Sequence, residues 1–233
     1  MRSWKLEFET MLEHLGSRLS ASGFQTHIAK QSFKRKTEIG TDTFHIQRSR
    51  HFDGMNISAD VAIRCDAIEE FLFDLYRGVM RSEKLGPEIR KGMATLGKGV
   101  GDLGPQGRLQ MWPVRSTDDA KDVANKLFAS YETIAEPYFF RIYTSLETIY
   151  DVLKDDDTRR LTIGGYSTAR KTIVAAILLK RDESELSALI RSKTRALEKS
   201  VASDQQIEKF REFLDRLRSK HPAVKFCDPF LHS

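Results

Sequence analysis

The chain has 233 residues, 40% of them hydrophobic and 30% charged, which fits a globular fold with a real core and excludes a fibrous or low-complexity chain. Lys and Arg number 38 against 33 Asp and Glu, a net charge of +5 that permits contact with polyanions but is far from a histone-like excess. Two cysteines, Cys65 and Cys227, exclude a disulfide framework and point to free thiols in a reducing cytoplasm; without an apolar leader or a run of 18 apolar residues, neither export nor membrane spanning is expected.

From Trp4 to Leu19, Trp4, Phe8, Met11, Leu12, Leu15 and Leu19 recur at three- and four-residue steps, which predicts a helix with one buried face, and Gly23 supplies a left-handed stop. Two strand-like runs follow, His27 to Thr37 around Phe33 and Thr43 to Ser49 around Phe44 and Ile46, with a turn at Ile39 to Asp42. From Met55 to Arg64 strict alternation puts Met55, Ile57, Ala59, Val61 and Ile63 on a core face and Asn56, Ser58, Asp60 and Arg64 on the other. Three neighbouring strands are most simply joined as an antiparallel meander. A helix then starts at Cys65 and carries Ile68, Phe71, Leu72, Leu75, Tyr76 and Val79 on its apolar side.

Gly86 to Gly107 holds seven glycines and two prolines and reads as a long loop, either a lid or a connector. Arg108 to Val114 resumes as a strand that Pro113 places at an edge, and Ser116 with Asp119 caps a helix burying Val123, Leu127, Tyr131 and Ile134. Pro137 is expected to separate that helix from another running from Tyr138 to Leu153. Three more helices are expected at Thr168 to Leu179, Asp182 to Lys199 and Ser203 to Arg218. The expected fold is therefore α+β: an N-terminal helix and antiparallel β-meander, then a mostly helical C-terminal section. The expected division is 1–115, including the glycine-rich loop at 86–107, and 116–233, packed on it as one domain.

The order of helix, Gly23-Phe24, basic meander with Phe33-Lys34-Arg35 and Phe44-His45-Ile46-Gln47, and then the Trp112-Pro113 strand with its capped helix resembles an uncharacterised bacterial domain family over about Lys5 to Leu153. The resemblance implies a bacterial protein and carries no activity.

No catalytic set assembles from the sequence. Gly92 to Gly99 matches seven positions of a phosphate-binding loop but has Gly99 where the magnesium-binding hydroxyl belongs, and Gly97 and Gly99 lack the third glycine of a dinucleotide fingerprint, which would fall at Asp102. His45, His51, Asp53 and Asp60 have no metal-ligand spacing, so no metal and no cofactor are expected. The carboxylates Asp118-Asp119 suit a helix start, and Asp155 to Asp157 suit a helix end.

The strongest functional candidate is the basic meander: Lys30, Lys34, Arg35, Lys36, His45, Arg48, Arg50 and Arg64 are the candidate anion- or nucleic-acid-binding residues, with Phe33 or Phe52 for stacking. Edge strands also carry Lys and Arg simply to deter aggregation. A second basic run, from Arg191 to Arg195 and on to Lys220, is interleaved with Glu185, Glu198, Glu208, Glu212 and Asp215 and reads as a salt-bridged helix surface. The leading expectation is a non-enzymatic cytoplasmic binding protein with a macromolecular partner, protein before nucleic acid. Nucleic-acid binding through the meander is the alternative, and an enzyme with a pocket near the meander and glycine loop is the third. Oligomeric state is left open.

Overall fold

The computed structural model describes residues 4–77, 94–142, 145–155, 165–199 and 203–230. It is α+β, with an N-terminal helix, an antiparallel sheet and a set of later helices. The chain forms two compact units: Met1–Arg64 with Leu96–Tyr143, and Cys65–Thr95 with Thr144–Ser233. The sequential division at 115/116 is a different grouping, since each unit gathers two separated stretches.

In the first unit, α1 (Lys5–Leu19) buries Phe8, Met11, Leu12, Leu15 and Leu19, the expected stripe. A 3₁₀ turn, Ser20–Ser22, follows before Gly23 turns the chain at φ +81°, a conformation that costs a glycine little. The expected strand from His27 to Thr37 is two strands, β1 (Gln25–His27) and β2 (Ser32–Lys36). A 3₁₀ turn, Ile28–Lys30, parts them and closes on Gln31 at φ +51°. The next strands are β3 (Gly40–Arg50) and β4 (Met55–Cys65), and β1 to β4 lie in sequential order as a meander. Thr41 and Asp42, expected in a turn, pair with Lys36 and Arg35 inside the β2–β3 ladder.

Residues 94–107 do not form the expected loop. They carry β5 (Leu96–Gly99), antiparallel to β4 with Leu96 opposite Ile63, and the short helix α3 (Val100–Leu103). Residues 86–93, the rest of the expected loop and part of the near-miss phosphate motif, lie outside the described residues. Gly101 serves close packing: a Cβ on it would sit 2.4 Å from the Gln110 nitrogen and 2.5 Å from the Arg108 oxygen. Because both neighbours are backbone and cannot swing away, Gly101→Ala should lower stability by about 1–3 kcal/mol, read as a reduced urea midpoint. An unchanged midpoint would refute this packing role.

Strand β6 (Trp112–Val114) pairs with the other end of β4, with Pro113 opposite Asn56. Helix α4 (Thr117–Ser130) is capped as expected: the Asp119 N–H donates to Ser116 Oγ at 3.1 Å, and the Asp119 carboxylate accepts from the Arg115 N–H at 2.8 Å. Pro137 does not break the helix. A π-helical turn, Tyr131–Ala135, leads directly into α5 (Glu136–Ile142), where Pro137 occupies the first turn and needs no donor. Phe33, Phe44, Ile46 and the odd-numbered residues Met55 to Ile63 form the buried sheet face. Against it pack Tyr131, 5.9 Å from the Phe44 ring and 5.6 Å from Phe24, and Phe139.

The second unit contains α2 (Asp66–Tyr76), α6 (Leu146–Lys154), α7 (Gly165–Leu178), α8 (Glu183–Glu198) and α9 (Ser203–Lys220). Helix α7 touches each of the other four. It buries Ala169, Ile173, Val174, Ala175 and Ala176 together with Thr168, Lys171 and Thr172, as a helix enclosed on most sides must. The second part of the expected Tyr138–Leu153 helix is α6, which Ser145 caps by accepting from the Thr148 N–H.

Candidate functional site

The basic residues of the meander do not form one surface. Antiparallel partners share a face, so Arg35, opposite Asp42, lies on the same side as Phe33 and Phe44, the core side. There its guanidinium is fully engaged. It donates to Asp42 Oδ2 at 2.8 and 3.1 Å, to both Glu136 oxygens at 3.0 Å and to the Ser22 carbonyl, and it lies 4.7 Å from the Phe24 ring centre. Arg48 is on that side too, over the Phe8 ring at 4.6 Å. Arg64 is buried. Lys34, Lys36 and His45 take the opposite face, while Lys30 sits in the turn before β2 and Arg50 is exposed at the end of β3. His45 Nδ1 stands 3.9 Å from Asp60, whose carboxylate also accepts from Gln47. Phe33 is wholly buried and cannot stack on a base, whereas Phe52 is fully exposed.

Alternation alone puts Arg35, two residues from Phe33, and Arg48, two residues from Ile46, on the apolar side of their strands, so the candidate set of cations mixed two faces that the sequence already separates. At the β3–β4 end a small cavity of about 200 Å³ is lined by His51, Asp53, Asn56, Pro113 and Arg115. Its charges are already matched, with Arg115 on Asp53 at 3.3 Å and His51 Nε2 3.0 Å from the Asn56 amide. Among the described residues no three His, Cys, Asp or Glu side chains group as a metal site.

Helix α8 offers a different surface. Asp182 caps it by accepting from the Glu185 N–H at 2.8 Å, and Leu186, Leu189, Ile190 and Leu197 bury its inner face. Lys193, grouped by the sequence with its basic neighbours, turns inward and donates to the Leu153 and Lys154 carbonyls at 3.1 Å, capping the end of α6. Arg191, Arg195 and Lys199 face outward, four residues apart, beside a shallow groove of about 510 Å³ that also includes Ala188, Ser192 and Ala196.

In the sequence these cations alternate with acids, which predicts a salt-bridged helix surface. In the structure Glu185 is occupied elsewhere, accepting from the Tyr150 hydroxyl at 2.9 Å and lying 3.5 Å from Lys154 and 3.9 Å from Arg181. Burial, and then that bond to Glu185, push the Tyr150 hydroxyl well above its ordinary pKa. Among the described residues Arg191, Arg195 and Lys199 enter no ion pair, so this face keeps its positive charge. The spacing of the three cations was visible in the sequence; which acids would leave them unpaired was not.

No described helix is long and apolar enough to cross a membrane. No family model, curated protein or solved structure matches the chain.

Proposed function

We propose that this is a non-enzymatic binding protein of the bacterial cytoplasm whose α8 groove receives an acidic helix of a protein partner. The observation that carries this reading is the row Arg191, Arg195 and Lys199 flanking a floor of small side chains. Residues four apart on a helix rise about 6 Å per step, so carboxylates at the same spacing on a second helix meet each cation in turn. Ala188, Ser192 and Ala196 keep the groove shallow and let a second helix lie close. The free thiols of Cys65 and Cys227 support a reducing compartment. Nucleic-acid binding through the meander has less support, since Arg35 and Arg48 are packed on the core side.

The test is a fluorescence-anisotropy titration with a helical peptide carrying Glu at every fourth position, and with a single-stranded oligonucleotide of equal charge. Arg191→Glu with Arg195→Glu should weaken peptide binding at least about tenfold, as lost charge complementarity requires. Unchanged peptide affinity in the double variant, or tighter binding of the oligonucleotide than of the peptide, would overturn the reading.

A further inference from the structure

The second unit also holds a cluster of cations and hydroxyls away from the α8 groove. Tyr76 ends α2, Tyr166 and Arg170 belong to the first turns of α7, and Arg216 comes from α9. The two phenol oxygens stand 2.6 Å apart. The Arg170 guanidinium carbon is 5.1 Å from the Tyr166 ring centre and 5.8 Å from that of Tyr76, and the Arg216 carbon is 5.6 Å from Tyr76. Two arginines from different helices thus share one tyrosine ring.

Among the described residues the cluster has no anion. Among the described residues no carboxylate ion-pairs with Arg170 or Arg216, and the Nε of each is buried without a hydrogen-bond partner. Asp215, beside Arg216 in sequence, pairs with Arg218 instead at 3.5 Å. Two guanidiniums brought within 6 Å of one ring repel one another, and aromatic faces offset only part of the hydration they give up. Arg35 shows how the same chain treats a cation in the interior: it surrounds it with two carboxylates.

The donors left over also suit one ligand. Arg170 donates to the Tyr76 hydroxyl, and one hydroxyl proton is used between the two phenols, which leaves one hydroxyl proton without a use in that pair. Helix α7 has no acidic residue in its first turn, and its Tyr166 N–H donates to the Gln206 side chain at 3.1 Å. Both arginines are half-buried, so part of each side chain reaches solvent. Guanidinium forks together with a hydroxyl donor match a tetrahedral oxyanion with many acceptor sites better than they match a flat carboxylate.

We propose that Arg170 and Arg216, with the Tyr76 and Tyr166 hydroxyls, bind a phosphate group, either as inorganic phosphate or on a small phosphomonoester. This site is separate from the α8 groove and needs no macromolecular partner.

Isothermal titration of the full chain with inorganic phosphate and with phenyl phosphate, at fixed ionic strength and with acetate as the comparison anion, tests the proposal. Saturable binding of at least one phosphate compound is expected, tighter than any binding of acetate. The compound that binds more tightly identifies the source of the phosphate group. Arg216→Gln should weaken it about tenfold or more, the loss of a charge-assisted contact. Tyr166→Phe, which keeps the ring and removes only the hydroxyl, should weaken it by a smaller factor while the circular dichroism spectrum stays native. No saturable heat with either phosphate compound, acetate binding as tightly, or wild-type affinity in a folded Arg216→Gln or Tyr166→Phe protein would each overturn the proposal.

Discussion

Arg35→Met should destabilise the protein by about 3–5 kcal/mol, the cost of removing one partner from a buried charge network. The Asp42 side chain is 1% exposed and that of Arg35 21%, so water cannot replace the lost guanidinium. Glu136, 37% exposed, would lose both oxygens' contacts to Arg35 and keep the Tyr131 hydroxyl at 2.6 Å and its access to solvent, so the cost falls mainly on Asp42. Equilibrium urea denaturation followed by far-ultraviolet circular dichroism reads the effect; a loss under about 1 kcal/mol would show that solvent rescues the carboxylates.

Asp42→Asn should behave in the opposite way. Burial pushes the Asp42 carboxyl up to about 6 and outweighs the guanidinium beside it, and Asp42 Oδ1 has no donor. At Glu136 burial also acts upward, but hydrogen bonds from Arg35 and Tyr131 overcome it and hold the group below its ordinary range. Arg35, its own desolvation overcome by both carboxylates, stays charged far above neutrality. Glu136 is therefore the effective counterion and Asp42 a second carboxylate the cation does not need.

The sign for pH follows from these directions. An acid whose folded pKa exceeds its unfolded value of 3.8 binds its proton more tightly in the folded state, so its contribution to stability rises as pH falls through about 6. Glu136 has the opposite sign, and its contribution is lost as pH falls below the ordinary 4.5. The wild-type protein should gain stability between neutral pH and about pH 5. Asp42→Asn should remove that gain while holding neutral-pH stability equal or higher. A variant that is less stable at neutral pH, or keeps the wild-type pH profile, would contradict this assignment.

Lys171→Met should cost about 3–5 kcal/mol by the same mechanism in the second unit. The Lys171 side chain is 10% exposed and that of Glu69 1%, with 3.4 Å between Nζ and Oε1. Nζ also donates to the Ala94 and Thr95 carbonyls, and Thr95 Oγ1 links the group by donating to Glu69 at 2.9 Å and accepting from the Cys65 N–H at 2.8 Å. Burial lowers the Lys171 pKa, and Glu69 works against that fall. Truncation would strand a buried carboxylate and two carbonyls together. Glu69→Leu combined with Lys171→Met should recover part of the loss, because removing both charges avoids leaving either unpaired. If the double variant is as unstable as the sum of the singles, the pair is not coupled and the account fails.

Much of the fold was legible in the sequence because it rests on local periodicity and local chemistry. The stripe from Phe8 to Leu19, the alternation from Met55 to Ile63, and the caps Ser116 and Asp182 each need only near neighbours in the chain, and each appears where the pattern put it. The departures came where a distant partner intervened. Leu96 to Gly99 has little strand character of its own and becomes β5 because the edge of β4 is there to pair with it. Pro137 reads as a breaker yet lies within a helix, because the preceding π turn leads into the first turn of α5, where a missing N–H costs nothing.

For the functional surfaces the balance is different. By itself the sequence determined an α+β fold, its N-terminal helix and meander, and the supply of cations. Only the tertiary structure decided which cations are available. Packing gave Arg35 its partners Asp42 and Glu136 and set Arg48 over the Phe8 ring, helix packing drew Lys193 to the end of α6, and among the described residues no acid pairs with Arg191, Arg195 or Lys199. Likewise Tyr76, Tyr166, Arg170 and Arg216 are up to 140 residues apart and meet only when three helices pack. Periodicity fixes which face of an element is apolar, but the partner of a charge is chosen by contacts across the chain, and those exist only once it has folded.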